Sequence, residues 1–273
     1  MSRIKRELSH LSIPPLKRFG QHFLLDKRVR DAMITAARLS SDDRLLEVGP
    51  GLGFLTEGLV KHAGRVVAVE KDRTLAKYLK QHFSNVSNLE IIQGDALAVG
   101  KAGCTKLLSS PPYNISSNLV LFITRNRFNS AVLLFQDEFV QRLTAKSGSR
   151  EYGRLTVTLQ VQADAEIVMK VPRTAFYPSP RIDSALVEIK PRDDLIRKIR
   201  NPALLEDLVR SLFTQRRRRL NKVLKTYIES RYPLKFNFIF SQLKIPEKRV
   251  FQMNPTELVE LANEITCTLR EVE

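Results

Sequence analysis

The stretch RLLEVGPGLG, residues 44–53, joins an apolar run to three closely spaced glycines. The apolar run is typical of a buried strand, and the residues after it predict a helix just beyond the glycines. Glycine adopts positive φ without strain and lets the backbone approach a ligand closely, so this turn is a candidate binding loop. Its spacing is GxGxG rather than the GxGxxG of dinucleotide-binding folds, which argues against hydride transfer from a nicotinamide cofactor.

Strand and helix patterns alternate outward from this turn. Apolar strand patterns occur at 44–49, 65–70, 89–94, 106–110 and 130–136. Helical patterns separate them at about 54–62, 72–83 and 115–125. This alternation predicts an α/β fold, a parallel sheet covered by helices on both faces. Two later segments, 154–171 and 184–190, have the length and alternation of longer strands near the end of the sheet.

Acidic residues follow the second and third of these strands, at the sheet edge where open α/β folds bind ligands. Glu70 stands 21 residues after Gly49, where a carboxylate can hold both hydroxyls of a ribose. Asp95 follows the third strand and can accept a hydrogen bond from an adenine amino group. A strand-end aspartate is also a common helix cap or turn former, so that alternative stays open.

The sequence SSPPY, residues 109–113, ends the fourth strand in a rigid turn. Two consecutive prolines fix φ and remove two N–H donors, while their carbonyls remain able to accept. Ser110 and the carbonyl of Pro111 can therefore present acceptors to one point beside the ring of Tyr113. This arrangement fits an amino group on a flat heterocycle. The alternative is a proline-stiffened loop with a packed tyrosine.

The C-terminal third has a different pattern. The polar segment 191–202 carries a proline near each end and is interpreted as a linker, which divides the chain into domains at 1–192 and 193–273. Beyond it, 203–225 and 255–265 show helical periodicity. We therefore expect a small helical C-terminal domain.

A basic tract lies within the first of these helical segments. Its candidate RNA-binding residues are Arg216, Arg217, Arg218, Arg219 and Lys222. Successive helical residues point about 100° apart, so four consecutive arginines in a helix cannot share one solvated face. We expect some of them to contact RNA phosphates. A nuclear-localisation signal is a secondary interpretation.

Composition bounds the class of protein. The 273 residues include 45 Lys and Arg against 29 Asp and Glu, a net charge of +16. Such an excess attracts polyanions, so nucleic acid is the first partner to consider, with simple solubility as the alternative. Cys104 and Cys267 form neither a CxxC pair nor a zinc-ligand pattern, so we expect no metal site and a reducing compartment. No window approaches the roughly 18 apolar residues of a membrane span, and we expect a cytoplasmic protein without membrane contact.

Several motifs together resemble the KsgA family of ribosomal RNA adenine N6,N6-dimethyltransferases, over nearly the whole chain. They are KRFGQHFLLD at 17–26, EVGPGLGFLT at 47–56, Glu70, GDAL at 94–97, PPYNIS at 111–116 and FYPSPRIDSALV at 176–187. The resemblance implies a class I S-adenosylmethionine-dependent methyltransferase fold with a mostly parallel seven-stranded sheet. It implies dimethylation of N6 on two adjacent adenosines near the 3′ end of small-subunit (16S-type) rRNA. A monomer that acts during small-subunit assembly is expected.

By position, the resemblance also implies the cofactor site. The S-adenosyl-L-methionine contacts would come from Gln21, His22, Leu24, Gly49, Gly51, Glu70, Asp95 and Ser110. The two glycines would lie beside the methionine portion of the cofactor. Glu70 would hold its ribose and Asp95 its adenine.

The target adenine would be held by a second group of residues. Ser110 and the Pro111 carbonyl would grip N6, while Tyr113 and Phe176 would sandwich the base. For Phe176 the alternative is a core phenylalanine. Family members usually carry Asn at the position of Ser110 and Leu or Ile at Pro111, so we expect methyl transfer to be retained but slower.

Three other functions remain open from the sequence. The chain can act on another amino group in nucleic acid, such as an adenine of large-subunit rRNA or a DNA base, because SPPY also resembles the motif of DNA amino-methyltransferases. It can keep the cofactor fold but serve as an assembly or transcription factor. A nicotinamide-dependent oxidoreductase is the remaining alternative.

Overall fold

The computed structural model describes residues 22–271 of the chain. They form two compact units, the first made of 22–140 and 165–191 and the second of 141–164 and 192–271. The division predicted from sequence placed 141–164 in the first domain. That segment clusters with the C-terminal helices because Tyr152 is buried in the same hydrophobic cluster as residues of those helices, among them Leu208.

Nine strands occur in the described residues. Their bounds are β1 Phe23–Leu24, β2 Arg44–Val48, β3 Arg65–Glu70, β4 Leu89–Gln93, β5 Lys106–Ser109, β6 Ser130–Gln136, β7 Ala163–Val171, β8 Phe176–Tyr177 and β9 Ser184–Pro191. Seven of them form one sheet in the order β4-β3-β2-β5-β6-β9-β7, and β1 pairs with β8 in a separate two-stranded sheet. The pairs from β4 to β6 are parallel, whereas β9 runs antiparallel to β6. The fold is therefore that of a class I methyltransferase, as expected.

Twelve α-helices lie in the described part of the chain. Their bounds are α1 Lys27–Ala37, α2 Thr56–Leu59, α3 Arg73–His82, α4 Ala96–Val99, α5 Ser116–Asn126, α6 Asp137–Leu143, α7 Arg154–Gln160, α8 Asp193–Ile196, α9 Pro202–Leu212, α10 Leu220–Arg231, α11 Phe236–Gln242 and α12 Pro255–Arg270. Side-chain caps begin several of them. Asp72, for example, accepts from the Thr74 and Leu75 amides at the start of α3, which satisfies donors that the helix cannot.

The parallel strands carry apolar residues toward both faces of the sheet. In β2 and β3 every residue after the first is buried, as expected for central strands of a sheet covered on both sides. Because the carboxyl ends of parallel strands share one edge, the loops that follow β2, β3, β4 and β5 emerge together there. These loops build the candidate site.

One predicted strand is wrong in its first half. The sequence pattern predicts an extended chain throughout 154–171, but α7 occupies Arg154–Gln160 and β7 begins at Ala163. The Thr156 hydroxyl accepts from the Gly153 amide and donates to the Arg142 carbonyl, which closes the first turn of the helix. Thr156, Val157 and Leu159 are buried on α7. Packing of this face outweighs the strand propensity of its β-branched residues.

The basic tract is not helical, contrary to the expectation from periodicity. Residues 216–219 form a turn between the 3-10 helix Phe213–Gln215 and α10. Backbone hydrogen bonds hold them against 248–251, including one from the Val250 amide to the Arg218 carbonyl at 3.1 Å. The argument from helical circumference therefore fails, although Arg217, Arg218 and Arg219 are exposed.

Residues 22–271 were also considered for membrane-spanning helices and metal-ion sites. None of the helices there is long and apolar enough to cross a membrane. Over the same residues, no group of three or more His, Cys, Asp or Glu side chains is arranged to hold a metal ion.

Candidate active site

A cavity of about 270 Å³ opens where the loops after β2, β3, β4 and β5 meet. Seven of the residues predicted to bind cofactor line it. They are His22, Leu24, Gly49, Gly51, Glu70, Asp95 and Ser110. The eighth, Gln21, lies outside the described residues. Pro111, Tyr113 and Phe176 are not among the lining residues.

The glycine turn forms the floor of this cavity. Gly49 and Gly51 have φ of 68° and 62°, the left-handed region that side chains disfavour. A Cβ at residue 51 would lie 3.0 Å from Cδ1 of Phe23, so the turn also leaves no room for a side chain there. The Gly49 amide donates to the Val69 carbonyl at 2.9 Å, which ties the turn to β3. The backbone at this point is therefore open to close approach by a ligand.

Glu70 is fixed at the end of β3 by two backbone amides. Its Oε2 accepts from the Gly51 amide at 3.1 Å and its Oε1 from the Asp72 amide at 2.9 Å. The residue is only 6% exposed, and this burial raises the pKa of the carboxyl despite both hydrogen bonds. A carboxylate held in this way can accept from the hydroxyls of a sugar.

Glu47 is a cavity residue that the sequence reasoning missed. It lies in β2, is 1% exposed, and accepts at 2.7 Å from the Thr56 hydroxyl. Burial raises the pKa of its carboxyl to about 8, and the nearby Glu70 contributes to the rise. The available signal was an acid inside an otherwise apolar strand, which is costly unless the acid has a partner or a function.

Asp95 has the capping role that was the structural alternative, and it also lines the cavity. Its Oδ1 accepts from the Leu97 amide at 3.0 Å at the start of α4. Its Oδ2 accepts from Nζ of Lys71 at 2.9 Å, and this hydrogen bond lowers the pKa of Asp95. Lys71 also lines the cavity and was not predicted; its place directly after Glu70 was the only signal.

The SPPY turn brings Ser110 and Tyr113 to different surroundings. Ser110 is half-buried and lines the cavity, directly after Ser109, whose hydroxyl donates to the Val48 carbonyl of β2. Tyr113 begins a 3-10 turn of three residues that leads into α5. The Tyr113 hydroxyl lies 2.7 Å from Oγ of Ser184, and burial raises the pKa of Tyr113.

The ring of Tyr113 is held by a second contact. It stacks on the His22 ring, with the centroids 5.4 Å apart and the planes at 28°. Nδ1 of His22 is in turn 2.7 Å from the Pro178 carbonyl. The orientation of both rings is therefore set by polar contacts at their edges.

Phe176 is not brought to this group. It pairs with Leu24 between β8 and β1, is 3% exposed, and belongs to the hydrophobic cluster that includes Val171 and Ala175. The predicted sandwich of a base between Tyr113 and Phe176 would require the Phe176 ring to become uncovered.

The candidate RNA-binding residues belong to the second unit. Arg217, Arg218, Arg219 and Lys222 are exposed. Arg216 is half-buried, and its Nη1 donates to the Tyr152 carbonyl at 2.6 Å. One of the five is thus committed to a structural contact while the other four present their charge to solvent.

The cavity combines a glycine turn, the acids Glu70 and Asp95 at the ends of two adjacent strands, and Ser110 on the proline-containing turn. This combination suits a nucleoside with an extended aliphatic substituent. The turn leaves its backbone accessible to the aliphatic part, and the two acids can accept hydrogen bonds from hydroxyl and amino groups of the nucleoside. Ser110 reaches the same cavity from the neighbouring strand. A second flat ligand with an amino group can approach the first there.

Comparison with known proteins agrees with this geometry. The family model of ribosomal RNA adenine dimethylase matches residues 16–263. A probable ribosomal RNA small subunit methyltransferase A of Pyrococcus abyssi is 43% identical over 260 residues, which cover 93% of each chain. The corresponding protein of Methanothermobacter thermautotrophicus is 40% identical, over 90% of this chain and 89% of its own.

Two solved structures are similar over most of the chain. A dimethyladenosine transferase from Plasmodium falciparum has a TM-score of 0.82 at 27% identity and covers 90% of this chain and 98% of its own. The 23S rRNA methyltransferase ErmE has a TM-score of 0.67 at 26% identity, over 89% and 99% respectively. From the match over most of its length, the chain belongs to the ribosomal RNA adenine dimethylase family.

Proposed function

We propose that this protein transfers methyl groups from S-adenosylmethionine to N6 of two adjacent adenosines near the 3′ end of small-subunit rRNA. The observation that carries the proposal is the meeting of Ser110, Glu70 and Asp95 around one cavity, in a chain whose relatives are named probable ribosomal RNA small subunit methyltransferase A. The small-subunit names of these relatives favour the small-subunit target, and the greater likeness to the dimethyladenosine transferase than to the 23S rRNA enzyme favours dimethylation of adenosine.

The residues of the cavity fit S-adenosylmethionine, the cofactor of this family. Gly49 and Gly51 form a turn at positive φ that carries no side chain, which suits close approach of the methionine portion. Glu70, held by two amides, would accept from the ribose hydroxyls. Asp95, kept ionised by Lys71, would accept from the adenine amino group. When bound, the cofactor supplies an electrophilic methyl group on a sulfonium, which is a good leaving group.

The chain's own residues would raise the reactivity of the target nitrogen by positioning it. The N6 lone pair is delocalised into the adenine ring, so N6 is a weak nucleophile until its hydrogens meet acceptors and its ring is fixed. Ser110 Oγ and the Pro111 carbonyl would provide those acceptors, and the edge-held ring of Tyr113 would fix the base by stacking. Good alignment can lower a barrier by about 7–11 kcal/mol, so no strong base is required.

A base paired in a helix cannot enter this cavity. The target adenosine would therefore lie in a loop or be flipped out of its stack, with aromatic stacking worth roughly 1–3 kcal/mol per base. Arg217, Arg218, Arg219 and Lys222 would contact the RNA backbone, with Arg216 anchored beside them. These phosphate contacts would position the RNA while the cavity selects the base.

Ser110 would limit the rate of this reaction. A serine hydroxyl is shorter than an asparagine amide and reaches less far toward N6. We expect Ser110→Asn to increase the turnover number and Ser110→Ala to decrease it, each measured at saturating cofactor because Ser110 also lines the cofactor cavity. Equal turnover in all three proteins would remove Ser110 from the acceptor role.

The proposal is tested with labelled S-adenosylmethionine and small ribosomal subunits that lack the modification, followed by nucleoside analysis. We expect N6,N6-dimethyladenosine to accumulate. Tyr113→Ala should abolish most transfer and spare cofactor affinity, whereas Tyr113→Phe, which keeps the ring, should retain much of it. In a parallel reaction with large ribosomal subunits we expect no label. Label in 23S rRNA there, or no N6-methylated adenosine in the small-subunit rRNA while cofactor binds, would overturn the proposal.

We further propose that the protein works as a cytoplasmic monomer during small-subunit assembly, since its substrate is a ribosomal RNA. Sedimentation of the purified protein tests the monomer. Co-migration with immature small subunits, and not with mature ones, tests the stage at which it acts.

A further inference from the structure

A second cavity, of about 360 Å³, lies within the second unit and has a different chemical character. Four arginines line it: Arg142, Arg150, Arg154 and Arg216. Glu151 is the one acid among the described residues that form its walls. The cavity is therefore strongly positive, and none of its residues belongs to the cofactor site.

Hydrogen bonds tie part of the backbone that carries these arginines. Thr156 joins the end of α6 to the start of α7, because its hydroxyl donates to the Arg142 carbonyl at 2.7 Å and accepts from the Gly153 amide at 3.1 Å. The residues on either side of this link thus have fixed positions. Arg150 and Arg154 are exposed, so their charge faces solvent.

Arg216 connects this wall to the basic tract. Its Nη1 donates at 2.6 Å to the carbonyl of Tyr152, and Tyr152 is completely buried, with its own hydroxyl donating to the Met253 carbonyl at 3.0 Å. A Cβ at Gly153 would lie 3.7 Å from Nη1 of Arg216, so the guanidinium passes close to the backbone. The arginine is held in place before any ligand arrives.

A preorganised guanidinium such as that of Arg216 can bind a phosphate. The planar fork of arginine matches two phosphate oxygens at once, and the charge-assisted hydrogen bonds are about twice as strong as neutral ones. One glutamate cannot neutralise the three arginines Arg150, Arg154 and Arg216. The exposed Arg217, Arg218 and Arg219 continue the positive charge along the chain from Arg216, which suits a polymer of phosphates better than a single small anion.

We propose that this cavity binds an internucleotide phosphate of the RNA substrate and fixes the register of the RNA on the second unit. The inference rests on the proposed function only in taking RNA as the substrate. A contact of this kind carries affinity and orientation without reading sequence.

The test compares two variants that each remove two positive charges. Arg150→Gln with Arg154→Gln alters the cavity, and Lys244→Gln with Arg270→Gln alters exposed residues of the same unit outside it. Binding of an unmodified small-subunit rRNA transcript is measured from about 50 to about 200 mM salt, a range over which binding through phosphates weakens steeply. Cofactor affinity is measured in parallel.

We expect the cavity variant to weaken RNA binding and to reduce the slope of log K against log salt by roughly 0.7–0.9 for each phosphate that the variant no longer neutralises. The control variant should leave the slope near that of the wild type, and both should bind cofactor normally. Equal slopes for the two variants would overturn the proposal, because the effect would then be one of overall charge.

Chemical modification of the wild-type protein gives a measurement that does not depend on a variant's folding. Phenylglyoxal labels arginines, and peptide mass spectrometry reads each site. The RNA transcript should protect Arg150 and Arg154 but not Arg270. Full protection by inorganic phosphate alone, at the concentration of RNA phosphate, would overturn the assignment to a polymer. If wild-type protein fails to methylate rRNA yet shows this protection, the proposed function fails while the phosphate site stands.

Discussion

Glu47 allows a direct test of how burial controls charge in the candidate active site. Its carboxyl is 1% exposed, and burial raises its pKa from 4.5 to about 8 even though the Thr56 hydroxyl donates to it. The folded chain thus keeps a proton that the unfolded chain loses above about pH 4.5. Because the folded-state pKa is the higher one, this contribution to stability is complete below pH 4.5 and is lost as the pH rises to about 8.

Glu47→Gln should remove this pH dependence. Glutamine is neutral and nearly isosteric with the protonated acid, and its carbonyl oxygen can still accept from Thr56. One pKa unit corresponds to about 1.4 kcal/mol. The free energy of unfolding of the variant, relative to the wild type, should therefore rise by roughly 3 kcal/mol from about pH 5 to about pH 8.

The measurement is urea unfolding of both proteins, followed by circular dichroism at several pH values. The comparison at low pH is the internal control, since both side chains are then mostly neutral in the folded state. Titrating groups that do not interact with Glu47 cancel in the difference between the two proteins. A difference that stays constant from pH 5 to pH 8 would refute the reasoning, since Glu47 would then titrate alike in the folded and unfolded chains.

Three further substitutions test separate contacts. Ser184→Ala removes the partner 2.7 Å from the Tyr113 hydroxyl. Because one hydrogen bond is worth about 0.5–1.5 kcal/mol, steady-state kinetics should show the turnover number reduced up to about tenfold, with cofactor affinity intact. A selective loss of cofactor affinity would contradict this role. Gly51→Ala places a side chain at φ 62°. Urea unfolding should show the free energy of unfolding reduced by about 1–2 kcal/mol, and calorimetry should show weaker cofactor binding. Wild-type stability together with wild-type cofactor affinity would show that this turn tolerates a side chain and contradict the prediction. Tyr152→Phe leaves the Met253 carbonyl without its donor. Urea unfolding should show the free energy of unfolding of the second unit reduced by about 1–3 kcal/mol, and an unchanged value would contradict this prediction.

The parts of the fold predicted correctly from sequence are those governed by local pattern. The five parallel strands begin at the expected residues and end within one residue of the expected positions, because each is mostly apolar and a glycine, acid or proline follows closely on its last apolar residue. Since parallel strands present their ends at one edge, the order of Gly49, Glu70, Asp95 and Ser110 along the chain was enough to predict one shared cavity.

The errors arose where distant contacts decide the structure. Residues 154–160 have β-branched residues but form a helix because Thr156 bonds to Arg142 and Val157 is buried in the second unit. Residues 216–219 continue a helical pattern but are pulled into a turn by hydrogen bonds to 248–251, which lie about thirty residues away. Burial of Phe176 likewise depends on the pairing of β1 with β8. None of these partners is adjacent in sequence.

The central claim is that the chain dimethylates N6 of adenosine in small-subunit rRNA. Mass-spectrometric mapping of methylated nucleotides in rRNA from cells with and without this protein tests it most directly. We expect N6,N6-dimethyladenosine at two adjacent positions near the 3′ end of small-subunit rRNA in cells that have the protein, and unmodified adenosine at both positions in cells that lack it. Identical modification of these positions in the two cell populations would contradict the claim.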